Sequence, residues 1–123
     1  MRRFRFGCNV RTIRSRDALR RTSRDAERRG YQVLLIPDDL GRNRPAPFPM
    51  IVAIAEATDR VRVGPYVLKG FWNPSMLARE AATTDQVTDG RLELGLGAGH
   101  MTSRHVRPAS DVTRSPDPAP TTQ

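Results

Sequence analysis

With 123 residues, 37% of them hydrophobic, the chain suffices for one modest domain with a core and not for two. No apolar run approaches the ~20 residues that a membrane helix needs, and the arginine-rich start lacks the apolar region of a secretion signal, so a cytoplasmic protein is expected. The net charge of +8 is local: residues 1–30 hold eleven arginines against Asp17, Asp25 and Glu27. No recognisable nucleic-acid module accompanies them, so neither nucleic acid nor membrane is expected as a partner.

In chain order, residues 4–10 alternate apolar with polar or small side chains, the pattern of a strand. The lone cysteine, Cys8, sits in it as a small buried hydrophobe and excludes an internal disulfide. Ser15 offers a helix cap with Asp17 in the first turn. Ala18, Leu19, Thr22 and Ala26 follow at helical spacing until Gly30 stops the helix. The opposite face is arginine-rich, with Asp17 and Arg21, and Asp25 and Arg29, spaced for ion pairs.

Residues 31–36 form a short continuous apolar run, as in strands of parallel sheets buried on both faces, and end at Pro37-Asp38-Asp39. A loop over residues 41–47 leads to a second helix over 48–58. Residues 61–68 read as a third strand. Asn73-Pro74 opens a third helix, which runs to about Val87 and stops at Asp89-Gly90. Residues 91–96 are the fourth strand, running into Gly95-Leu96-Gly97-Ala98-Gly99.

Four strands alternating with three helices call for a parallel α/β sheet with sequential strand order and right-handed crossovers. Ligands of such sheets bind beyond the strands' carboxyl ends, here residues 9–11, 37–40, 66–71 and 97–100. Asp38 and Asp39 could hydrogen-bond a cofactor or move a proton there; turn formation explains them equally well. Trp72 and Phe71 lie in a strand-to-helix loop, suited to packing or to substrate contact. No histidine pairs with Cys8 or a carboxylate at metal-ligand spacing, so no metal site is expected.

Glu93 with Gly95, Gly97 and Gly99 also matches the first motif of many S-adenosylmethionine-dependent methyltransferases. In those enzymes this strand opens the sheet, whereas three strand–helix units precede it here. Residues 102–123 turn rich in Ser, Thr, Pro, Arg and Asp and cannot offset their ordering entropy by burial. They are expected to be a disordered, out-of-frame tail, distinct from a domain over residues 1–101.

Several blocks resemble the luciferase-like monooxygenases: residues 4–10, Arg29-Gly30-Tyr31 with residues 34–38, and residues 55–64. The strongest block is Asn73-Pro74, residues 77–83 with Asp85, and residues 89–97. The resemblance covers residues 4–101 and is nearest to the branch that uses the deazaflavin coenzyme F-420; other branches use FMN. It implies the N-terminal half of a (β/α)8 barrel, with the cofactor ring against Tyr66, Val67 and Leu68 and near Asp38, Gly97 and Gly99. It also implies a cis peptide near Tyr66 and Val67. Asp39 stands where the family commonly has a catalytic histidine, and His100 where some deazaflavin members have a catalytic acid.

By resemblance, then, the chain is a fragment of an oxidoreductase acting on a small organic substrate, able to form a homo-oligomer when full length. A complete barrel needs about 250 residues, so the 123-residue chain is not expected to be competent alone. A methyltransferase-like binding module and a non-functional remnant are the alternatives.

Overall fold

The computed structural model describes residues 4–39 and 44–98. Strands β1 (Gly7–Asn9), β2 (Val33–Pro37), β3 (Arg62–Leu68) and β4 (Gly95–Gly97) form one parallel sheet in the order β1-β2-β3-β4. Helices α1 (Arg16–Arg28), α2 (Pro47–Ala57) and α3 (Pro74–Val87) connect them, and a short 3-10 turn, Lys69–Phe71, precedes α3. This is the expected α/β arrangement of four parallel strands and three helices, the first half of a (β/α)8 barrel.

Each helix starts where its local chemistry dictates. The Ser15 hydroxyl accepts the Ala18 N–H at 3.1 Å, and α1 buries Leu19, Ser23 and Ala26 while its arginines stay outside. On that outer face Asp25 pairs with Arg28, three residues on, in place of Arg29. Helix α2 has no side-chain cap; Pro47 and Pro49 supply helical φ at its start, and burial of Phe48, Met50, Ile51 and Ile54 holds it. The Asn73 carboxamide caps α3 by accepting from Ser75 and Met76.

The core lies between the sheet and the helices. Leu34 and Ile36 of β2 and Val63 and Val67 of β3 are fully buried there with Ile51 and Ile54 of α2. Two long-range polar contacts fasten the helix layer to the sheet. Glu27 of α1 accepts the backbone N–H groups of Asp59, Arg60 and Val61 at the entrance to β3. Arg91 donates to the carbonyls of Ala55 and Thr58 at the end of α2 and of Thr88 at the end of α3.

Both edge strands are shorter than their sequence patterns. At β1 pairing is confined to Gly7–Asn9, and Phe4 and Phe6 are exposed. At β4 a single bridge, Val63 with Leu92, precedes the regular ladder, which resumes at Tyr66 with Gly95 in the same register. The gap faces Pro65. Val63 exchanges bonds with Arg91 and Glu93, so the alternation of a parallel ladder points Pro65 toward the same neighbour, and proline has no N–H to give.

All peptide bonds of the described residues are trans. The cis bond implied near Tyr66 and Val67 is therefore absent. Tyr66 pairs with Pro37 on one side and Gly95 on the other, and Val67 with Leu96, a regular register that extended trans backbone satisfies. Residues 99–123 lie outside the described residues, so the expected tail does as well.

Candidate functional site at the strand carboxyl ends

Side chains alternate across a strand, so the burial of Val63 and Val67 against the helices sends Gly64 and Tyr66 to the other face. Gly95 lies on that face too: a Cβ built on it would meet the Tyr66 Cβ at 3.0 Å. Across the exits of β2, β3 and β4 one register row reads Pro37, Tyr66, Gly95, and Leu68 stands opposite Gly97 two residues further on. The helix-free face thus carries a half-buried tyrosine beside glycines, a surface kept low where a flat ligand could lie against backbone.

Lower on this face, Glu93 accepts from Arg62 Nε at 2.7 Å and from Arg5, and Arg62 also donates to the Leu92 carbonyl. This charged layer ties the approach to β1, β3 and the approach to β4 together beneath the glycine row.

The paired carboxylates have separate partners. Asp38 is buried, its N–H donates to the Tyr66 carbonyl at 3.2 Å, and its Oδ2 accepts the Trp72 indole N–H at 2.6 Å. Trp72 packs edge-on against Phe48, with centroids 5.4 Å apart and planes at 79°. Asp39 is half-buried and pairs with Arg44 at 3.2 Å. Two adjacent aspartates therefore face different surroundings, which the sequence alone does not separate.

Among the residues singled out as cofactor-binding, Asp38, Tyr66, Val67, Leu68 and Gly97 come together at one end of the sheet. The Val67 side chain is fully buried in the core, so only its backbone faces the strand ends. Gly99 and His100 lie outside the described residues. Trp72 is the residue whose part was missed. Its single sequence signal is its place in the loop after the third strand, and its partner Asp38 is 34 residues away.

At the remaining strand end, Asn9, Arg11 and Arg14 line a cleft of about 490 Å³ against Leu19 and Thr22 of α1. Cys8 also borders it, half-buried, and burial raises its thiol pKa. Among the described residues no group of side chains is arranged to hold a metal ion, and no helix is long and apolar enough to cross a membrane. Gly95 and Gly97 of the glycine-rich motif lie in β4, the last strand of the sequential order among the described residues and not the first, against the methyltransferase arrangement.

Residues 3–116 match the family model described as luciferase-like monooxygenase. Over 64 residues the chain is 41% identical to the oxygenase component of the flavin-dependent trigonelline monooxygenase of Acinetobacter baylyi, across 51% of this chain and 18% of that protein. Among solved structures, the oxygenating constituent of 3,6-diketocamphane monooxygenase from Pseudomonas putida, in complex with FMN, superposes with a TM-score of 0.66 at 26% identity. That match covers 79% of this chain and 30% of the other. The coenzyme F-420-dependent tetrahydromethanopterin reductase of Methanopyrus kandleri gives 0.68 at 23% identity, over 78% of this chain and 27% of its own, a likeness of fold alone. The chain spans less than a third of the length of each of these proteins.

Proposed function

The chain belongs to the luciferase-like monooxygenase family, and on that premise we propose that the full-length protein is an oxidoreductase that seats FMN, or the deazaflavin coenzyme F-420, at the carboxyl ends of its strands. The observation that carries this reading is the row Pro37, Tyr66, Gly95 on the helix-free face, with Gly97 two residues beyond Gly95, a surface kept low at its glycines. It fits a planar tricyclic ring, because the Gly95 position leaves no side chain beside Tyr66. Bound there, such a cofactor would supply hydride transfer to a small organic substrate or activation of dioxygen.

Tyr66, Val67 and Leu68 would support the ring, largely through backbone, with Gly97 and Gly99 permitting close approach. Asp38 orders the exit of β2. Asp39 and His100 remain the candidates for moving a proton. Asp39 is a carboxylate ion-paired to Arg44, so it serves as an acceptor and does not reproduce the imidazole usual at that place. FMN is favoured by the two flavin relatives above 25% identity; F-420 is the alternative from the sequence resemblance. A cytoplasmic location and a homo-oligomeric full-length form complete the proposal.

Fluorescence titration of the full-length protein with FMN, F-420 and S-adenosylmethionine tests it. Saturable binding of one of the first two supports the reading. Binding of S-adenosylmethionine with neither of the others overturns it.

A further inference from the structure

We propose that Trp72 is a positioning residue for the ring-binding strand ends, acting through Asp38; the inference rests on the cofactor reading above. Asp38 holds both ends of the step from Tyr66 to Trp72. Its backbone N–H grips the Tyr66 carbonyl, and its carboxylate grips the Trp72 indole. The chain between those residues, including the turn Lys69–Phe71, is closed into a loop anchored on one buried residue of the neighbouring strand exit.

The partners suit one another chemically. An indole N–H can only donate and an ionised carboxylate can only accept, so the bond has one polarity and no competing arrangement. The edge-on contact with Phe48 sets the plane of the indole and extends the clasp to the first turn of α2. The exits of β2 and β3 and the start of α2 therefore meet at Trp72. Tyr66, the residue proposed to lie under the ring, takes its place from that junction.

The test uses the full-length protein and the variants Trp72→Phe, Asp38→Asn and Asp38→Ala, with the Kd for FMN and F-420 measured well below each variant's Tm. Phenylalanine keeps the contact with Phe48 but cannot donate. Asparagine can still accept from the indole, and alanine cannot. Losing a hydrogen bond to a charged group should weaken binding about tenfold in Trp72→Phe and Asp38→Ala, while Asp38→Asn stays within about threefold of the parent.

Parent-like affinity in folded Trp72→Phe overturns the inference, even if that variant is less stable. So does equal weakening in Asp38→Asn and Asp38→Ala with Trp72→Phe unaffected, which would mean that Asp38 meets the ligand through its charge. Should Asp38→Ala fail to fold, the other two variants decide. If the parent binds neither cofactor, the functional reading fails separately. The clasp is then judged on the Trp72 indole N–H resonance, assigned by its loss in Trp72→Phe: a shift and faster hydrogen exchange in Asp38→Ala uphold the clasp, and an unchanged signal refutes it.

Discussion

Gly64 and Glu93 approach so closely that a Cβ on Gly64 would lie 1.7 Å from the Glu93 carbonyl oxygen. The obstruction is backbone, which cannot rotate away as a side chain could. Glycine at this place lets the segment before β4 close on β3 beside the ladder gap at Pro65. Gly64→Ala should therefore force the two segments apart and lower stability by about 3 kcal/mol. Urea unfolding would register this as a lower midpoint with an unchanged slope.

Glu27 gives a pH-dependent prediction. Its burial favours the neutral acid, but the N–H groups of Arg60, Val61 and Asp59 and the charge of Arg60 outweigh that and hold its pKa below the ordinary value. A group depressed on folding stabilises the folded state fully above its unfolded pKa, about 4.3, and loses that contribution as pH falls through the lower folded value. Glu27→Gln should cost about 1 kcal/mol near neutral pH. It should also flatten the loss of stability below about pH 4.3. Melts of both proteins between acid and neutral pH would check the sign: their curves should converge in acid.

Arg91 joins the ends of two helices, donating to carbonyls of Ala55, Thr58 and Thr88. A planar fork is needed to reach all three, and a cation suits the negative ends of both helices. Arg91→Ala should cost about 2–3 kcal/mol, and Arg91→Lys should recover less than half of that because it keeps the charge without the fork. Equal stability of the lysine variant and the parent in thermal melts would show that charge alone suffices.

Local chemistry made the elements legible. Ser15, Asn73-Pro74, Gly30 and Asp89-Gly90 punctuate the helices where the structure starts and stops them, and the apolar run ending at Pro37 is the buried central strand. The fourth strand is shorter than its pattern because alternation says nothing about whether a neighbour can donate. Pro65, which interrupts the partner of the fourth strand, acts across the sheet and not along it. The site was legible as a set of strand ends, since topology alone brings Asp38, Tyr66 and Gly97 together. The bond from Trp72 to Asp38, the pairing of Asp39 with Arg44, and the grip of Glu93 on Arg62 depend on rotamers and loop paths that no local pattern encodes.

The central claim is that the strand carboxyl ends around Tyr66 seat a flavin-type ring, and a crystal structure of the full-length protein grown with saturating FMN or F-420, whichever it binds, tests this most directly. The account predicts ring density against the backbone of Tyr66, Val67 and Leu68, on the face opposite the helices, with Trp72 still bonded to Asp38. Ring density in the cleft between Asn9 and α1, or on the helix side of the sheet, would contradict it.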